Sequence, residues 1–123
     1  MNLHPERAQD YLEHILTALE RIQRYTSEKT AEDFAAETLV QDGVMRNLSV
    51  VGEAAHRILS EAPDFAAAHR EIPLAKIYAT RNRIMHGYEE VDLSIVWNLV
   101  QNDVPDLRSK IETLLTTMKQ KSS

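Results

Sequence analysis

The sequence predicts an all-α protein, a bundle of four to five helices forming one domain over residues 1–123. Three observations carry that expectation. Apolar residues recur at helical spacing along most of the chain. Only three glycines and four prolines punctuate it, too few for a many-stranded sandwich or barrel. Hydrophobic residues make up 43% and charged residues 27%, a globular composition with enough apolar material for a core.

Leu12, Ile15, Leu16, Leu19 and Ile22 place a first helix over about residues 5–25, with Pro5 in its first turn. A polar loop, Thr26 to Lys29, follows. Thr30 then stands as an N-cap with Asp33 three residues on, a capping box in its aspartate form, and opens a short helix carrying Phe34 and ending near Leu39. The stretch QDGVMRNLSVVGEAAHRILSEAP reads as a longer third helix on the stripe Val44, Leu48, Val51, Ala55, Ile58 and Leu59, with Pro63 past its end. Gly43 and Gly52 lie inside it. Each costs about 1 kcal/mol relative to alanine, so close packing against a neighbouring helix is expected at both.

Pro73 opens a fourth helix through Ile77 and Ile84 to His86, with Gly87 as its C-terminal stop. Asp92 caps a fifth, where Ile95, Val96, Leu99 and Val100 share a face. Pro105 lacks an N–H and must kink or restart this helix, with Asp103 as a candidate cap for the continuation through Leu107, Ile111, Leu114 and Leu115. Residues 117–123 are expected to fray.

The charge balance narrows the function. With 14 Lys and Arg against 19 Asp and Glu, the chain carries −5 and is a poor general binder of nucleic acid. Any RNA site must be a local basic patch. Between Arg70 and His86 the balance reverses, with Arg70, Lys76, Arg81 and Arg83 against Glu71 alone. There is no cysteine, so no disulfide or thiolate metal site is expected. The segment MNLHPERAQDYLEHIL lacks a basic stretch followed by an apolar core, and no apolar run approaches the length of a membrane span. A cytoplasmic location is expected.

The segment IYATRNRIMHGY, residues 77–88, carries the chemistry. Asn82 and His86 are four apart on one helix face, so the amide is placed to hydrogen-bond the imidazole and fix its tautomer. Arg81 and His86 are five apart, about 140° around an ideal helix, and do not meet well within it. Either the helix ends at Gly87 and lets His86 swing, or a second subunit completes the site. A guanidinium and an imidazole without metal ligands suit attack of a ribose 2′-OH on its own phosphate, which needs proton transfer and charge stabilisation. Histidine moves the proton near neutral pH, and arginine grips phosphate oxygens with a fork of donors. Read alone, an Arg and a His at a helix end more often compensate the dipole and solvate the surface.

The chain resembles the HepT-like branch of the HEPN superfamily, whose signature R-x-x-x-x-H-x-Y is met by Arg81, His86 and Tyr88, with the usual polar residue after the Arg met by Asn82. QDGVMRNLSVVGEAAHRI is similar to the third-helix block of that family, including Arg46-Asn47 and Gly52-Glu53-Ala54. VDLSIVWNLVQNDVPDLRSKI is similar to its fifth helix. Leu74, where many relatives carry Trp, is a departure at a packing position. The resemblance implies a HEPN-like homodimer whose two motifs face a shared cleft. It implies metal-independent endoribonuclease activity on RNA, with Arg81 and His86 catalytic, Asn82 and Tyr88 supporting, and no cofactor. It further implies the toxin of a type VII-like toxin–antitoxin pair. The partner would be a minimal nucleotidyltransferase antitoxin that transfers AMP to Tyr88.

Arg83 and Arg46 are candidate RNA contacts, against a solvated charge at Arg83 and a tie between helices at Arg46 and Asn47. Glu53 is expected in a buried ion pair. His4, His14, His56 and His69 lack metal-ligand spacing, and Trp97 is expected in the core. The alternative function is a non-catalytic HEPN protein that binds a nucleotidyltransferase or a nucleotide. A third is a helical dimerisation module.

Overall fold

The computed structural model describes residues 6–86 and 92–122, and every regular element among them is helical. In chain order these are α1 (Glu6–Thr26), α2 (Ala31–Ala36), α3 (Thr38–Glu61), α4 (Pro63–Ala68), α5 (Leu74–His86), α6 (Leu93–Asn98), a π turn (Leu99–Asp103) and α7 (Val104–Ser122). The last three are consecutive and form one interrupted rod.

The long helices follow from their stripes. Leu12, Ile15, Leu19 and Ile22 of α1 and Val44, Ala55 and Ile58 of α3 are at most 1% exposed. Helix α3 is central, packed on α1 to one side and on α5 to the other, and α7 closes against α1. Each buried Leu or Ile contributes about 1.5–3 kcal/mol. Exposed pairs such as Lys110–Asp106 contribute about 0–1 kcal/mol. Apolar burial holds the bundle.

The caps stand where the sequence placed them. Asp33 N donates to Thr30 Oγ1 at 3.1 Å and Thr30 N to Asp33 Oδ2 at 3.0 Å, completing the capping box. Ser94 N donates to Asp92 Oδ1 at 2.9 Å. Trp97 packs on Phe34, ring centroids 5.4 Å apart, against the core. Leu74 is buried, as a packing position should be.

Several expectations are corrected. Helix α2 stops at Ala36 rather than near Leu39, because the chain turns extended at Glu37, whose carboxylate takes Lys29 Nζ at 3.0 Å. Pro63 lies past the end of α3, as expected, but it also opens a further short helix, α4, its fixed φ suiting the first helical position. Counting the interrupted rod once, the described residues form six helices rather than four or five. Asp103 does not cap a restart. The rod instead widens into the π turn, and Val104 N bonds Leu99 O five residues back. That register adjusts the backbone just before Pro105, which has no N–H to give. Asn102 Nδ2 meanwhile donates to Asn98 O at 3.0 Å. Helix α7 runs to Ser122, into the segment expected to fray, and Lys119 Nζ lies 3.4 Å from Glu13.

Candidate active site

Helix α5 presents the motif. It starts after Pro73, whose carbonyl accepts from Ile77 N at 2.9 Å, and stays α-helical through His86. Arg81 and His86 therefore remain about 140° apart around its axis. Arg81 turns toward α3 and is half-buried, while His86 is exposed at the last helical residue. Gly87 and Tyr88 lie outside the described residues.

The Arg81 guanidinium is held by two elements. Nη1 donates to Asn82 Oδ1 at 2.8 Å, and Nη2 donates to Ser49 Oγ of α3 at 3.2 Å. Nε is buried without a hydrogen-bond partner among the described residues. Asn82 thus supports the motif differently from the expectation. Its amide oxygen is taken up by Arg81, one residue before it, and not by the imidazole of His86.

The stem of Arg81 crosses α3 at Gly52. A methyl group on that glycine would stand 2.9 Å from Arg81 Cδ and closer still to Cβ and Cγ. Gly43 makes a similar approach to the ring of Tyr25, 3.0 Å from Cδ2. Both interior glycines are sites of close packing, as expected. Arg81 borders two depressions. One, of about 230 Å³, is an apolar groove between α5 and the π turn and α7, lined by Leu48, Val51, Ile77, Ile84, Leu99 and Leu107. The other, of about 460 Å³, is an open cleft lined by Tyr11, His14, Ser49 and Glu53.

The remaining candidates separate. Arg83 and Arg46 are exposed. Asn47 is buried and returns its Nδ2 to Gly43 O of its own helix at 2.9 Å. Glu53 is not in a buried pair; it lies on the surface 3.2 Å from Arg57, both side chains about half exposed. His56 stacks on Tyr78, centroids 4.5 Å apart. No group of three His, Cys, Asp or Glu among the described residues is arranged to hold a metal ion. No described helix is long and apolar enough to cross a membrane.

Ser49 was not singled out in the sequence. Its signal was faint: a small polar residue three before Gly52, on the same helix face. Only the crossing of α5 over that face gives it meaning.

The family model for ribonuclease HepT-like proteins matches residues 15–114, which run from the middle of α1 through α3 and the Arg81/His86 segment of α5 into the first half of α7. The chain is 38% identical over 105 residues to a Thermococcus cleftensis protein named "Probable ribonuclease HepT", covering 85% of this chain and 93% of that one. It is 35% identical over 101 residues to a Methanocaldococcus jannaschii protein named "Gamma-glutamylcyclotransferase and putative RNase", covering 82% of this chain but 44% of that longer one. A Caldanaerobacter subterraneus subsp. tengcongensis protein named "Putative RNase" is 28% identical over 105 residues, covering 85% of this chain and 91% of that one. No solved structure matches the chain significantly. With the all-helical bundle, the motif on α5 and a family match over most of its length, the chain belongs to the ribonuclease HepT-like family.

Proposed function

We propose that the chain is a metal-independent endoribonuclease acting as a homodimer, with Arg81 and His86 as its catalytic pair. The observation that carries this reading is the placement of Arg81, a half-buried guanidinium oriented by two hydrogen bonds on the helix that ends at an exposed histidine. Family membership supplies the substrate class. The ribose 2′-OH attacks the adjacent phosphorus, His86 takes the 2′-OH proton, and a proton returns to the departing 5′ oxygen. The P–O5′ bond breaks, leaving a 2′,3′-cyclic phosphate and a 5′-OH. Arg81 stabilises the charge that grows on the phosphoryl oxygens.

The regularity of α5 through His86 supports a dimer. The two catalytic groups diverge around one axis, so a two-fold copy that sets one α5 against the other supplies the missing half of a cleft. Exposed Arg83 and Arg46 would then meet the RNA backbone as solvated cations. In the cell this enzyme is a cytoplasmic toxin. A minimal nucleotidyltransferase antitoxin silences it by transferring AMP to Tyr88.

The test compares purified wild type with His86→Ala on bulk tRNA and mixed-sequence RNA in excess chelator, mapping the new ends. Wild type should cleave and leave cyclic phosphate ends, and His86→Ala should do neither. Cleavage that vanishes with chelator and returns with magnesium overturns metal independence. A non-catalytic protein that only binds a partner or a nucleotide would cleave under no condition.

A further inference from the structure

We propose that Ser49 is a positioning residue for Arg81: its hydroxyl, reached across the gap at Gly52, fixes the plane in which the guanidinium is offered to the RNA phosphate. The inference rests on Arg81 being the phosphate-binding group.

An arginine side chain has many rotamers and does not choose one orientation without help. Here three constraints act together. Gly52 lets the stem lie against α3, where any side chain would force it away. Ser49, one turn earlier on the same face, accepts from Nη2 at 3.2 Å. Asn82 accepts from Nη1 at 2.8 Å. Two acceptors on two different helices hold the two ends of the fork, so the guanidinium can neither spin nor swing.

The donor count then fixes what is left. A guanidinium has five N–H groups. The one on Nε is buried, and Ser49 and Asn82 each take one from a terminal nitrogen. Among the described residues, one N–H remains unclaimed on each of Nη1 and Nη2, the pair that makes a two-pronged contact with phosphate oxygens. Asn82 moves with Arg81 because both ride on α5. Among the described residues, Ser49 is the hydrogen-bond partner that ties the guanidinium to another helix.

Two measurements test this on the whole protein. The first is nitrogen NMR of the arginine side chains with isotope-labelled wild type, Ser49→Ala and Ser49→Thr. A held guanidinium gives Arg81 separate, slowly exchanging Nη signals. They should merge in Ser49→Ala and stay separate in Ser49→Thr, which keeps a hydroxyl. The second is steady-state cleavage of end-labelled mixed-sequence RNA. Ser49→Ala should lower kcat about tenfold, the scale of a hydrogen bond to a charged group, with KM changing little and the melting temperature nearly constant. Ser49→Thr should recover most of the loss. Separate Nη signals in Ser49→Ala overturn the proposal. So does a wild-type kcat in Ser49→Ala when Arg81→Ala is inactive. If Arg81→Ala itself cleaves like wild type, the assignment of Arg81 to the phosphate fails, whatever the spectra of Ser49→Ala show.

Discussion

The stem of Arg81 lies directly over Gly52, so that three successive carbons of the arginine occupy the space a side chain on α3 would need. The contact joins two motif blocks about thirty residues apart in sequence. It also gives a physical reason for a glycine in a helix interior, where alanine would be about 1 kcal/mol better by propensity alone. Gly52 lets α5 approach α3, and the approach brings the guanidinium to Ser49.

Gly52→Ala should therefore impair function more than its size suggests. Because the conflict includes Cβ of Arg81, a change of arginine rotamer cannot relieve it, and α5 must shift. Overpacking of this kind costs about 1–3 kcal/mol, offset in part by the better helix propensity. We expect a net loss of about 1 kcal/mol in urea unfolding and a fall in cleavage of tenfold or more. A variant as stable and as active as wild type would show that the two helices need no such closeness.

Arg81→Lys separates charge from geometry. The ammonium keeps the positive charge but cannot bridge Asn82 and Ser49 while offering a planar fork to phosphate. Cleavage should fall by about a hundredfold, near the level of Arg81→Ala. Full activity in Arg81→Lys, measured by initial rates on the same RNA, would count against a bidentate phosphate contact.

How far the sequence foretold this arrangement depended on how local each cause is. The stripes of α1 and α3 and the caps at Thr30 and Asp92 involve residues within one or two turns, and they were legible. Helix α4 was not, because its six residues, PDFAAA, are too few for a period and Pro63 reads equally as a stop or a start. The π turn was hidden for a related reason: Pro105 announces a disturbance but does not say which register absorbs it. At the site, the motif residues were found from their order in the chain. The bonding of Arg81 was not, since Ser49 is 32 residues away and nothing local favours it over any other serine. Asn82 was assigned to His86 by helical spacing, yet the neighbouring guanidinium, a charged donor, takes its oxygen.

Acid should expose a second tie, between α1 and the end of α3. The Tyr11 hydroxyl donates to Glu61 Oε2 at 2.9 Å, and Arg7 lies 3.3 Å from Oε1. The Tyr11 hydrogen bond first, then the charges of Arg7 and Arg57, hold the Glu61 carboxyl below its ordinary range. A carboxyl lowered in the folded state adds stability that is complete above the unfolded pKa, about 4.3, and is lost as pH falls through the lower folded value. Tyr11→Phe should remove the main part of that shift. Its acid-unfolding midpoint, followed by circular dichroism, should move to higher pH than that of wild type while the neutral-pH structure is kept. Superimposable acid transitions would remove Tyr11 and Glu61 from the acid response.

Control of the enzyme gives the last prediction. Tyr88 stands two residues after His86 and lies outside the described residues. An AMP group on its hydroxyl brings a phosphate two residues along the chain from His86. Its negative charge would compete for Arg81 and repel the RNA backbone, as other charge-adding modifications do. The modified protein should then lose RNA binding and not turnover alone. With the protein, a minimal nucleotidyltransferase, ATP and magnesium mixed, the intact mass should rise by whole AMP units that map to Tyr88. RNA affinity, read by fluorescence anisotropy on a His86→Ala background, should fall at least tenfold after modification. Tyr88→Phe should stay toxic in cells and escape the antitoxin, because the ring is kept and only the acceptor oxygen is gone. A mass unchanged by the antitoxin, or a Tyr88→Phe protein that is still modified and silenced, would take Tyr88 out of the control mechanism and leave the assignment of Arg81 and His86 untouched.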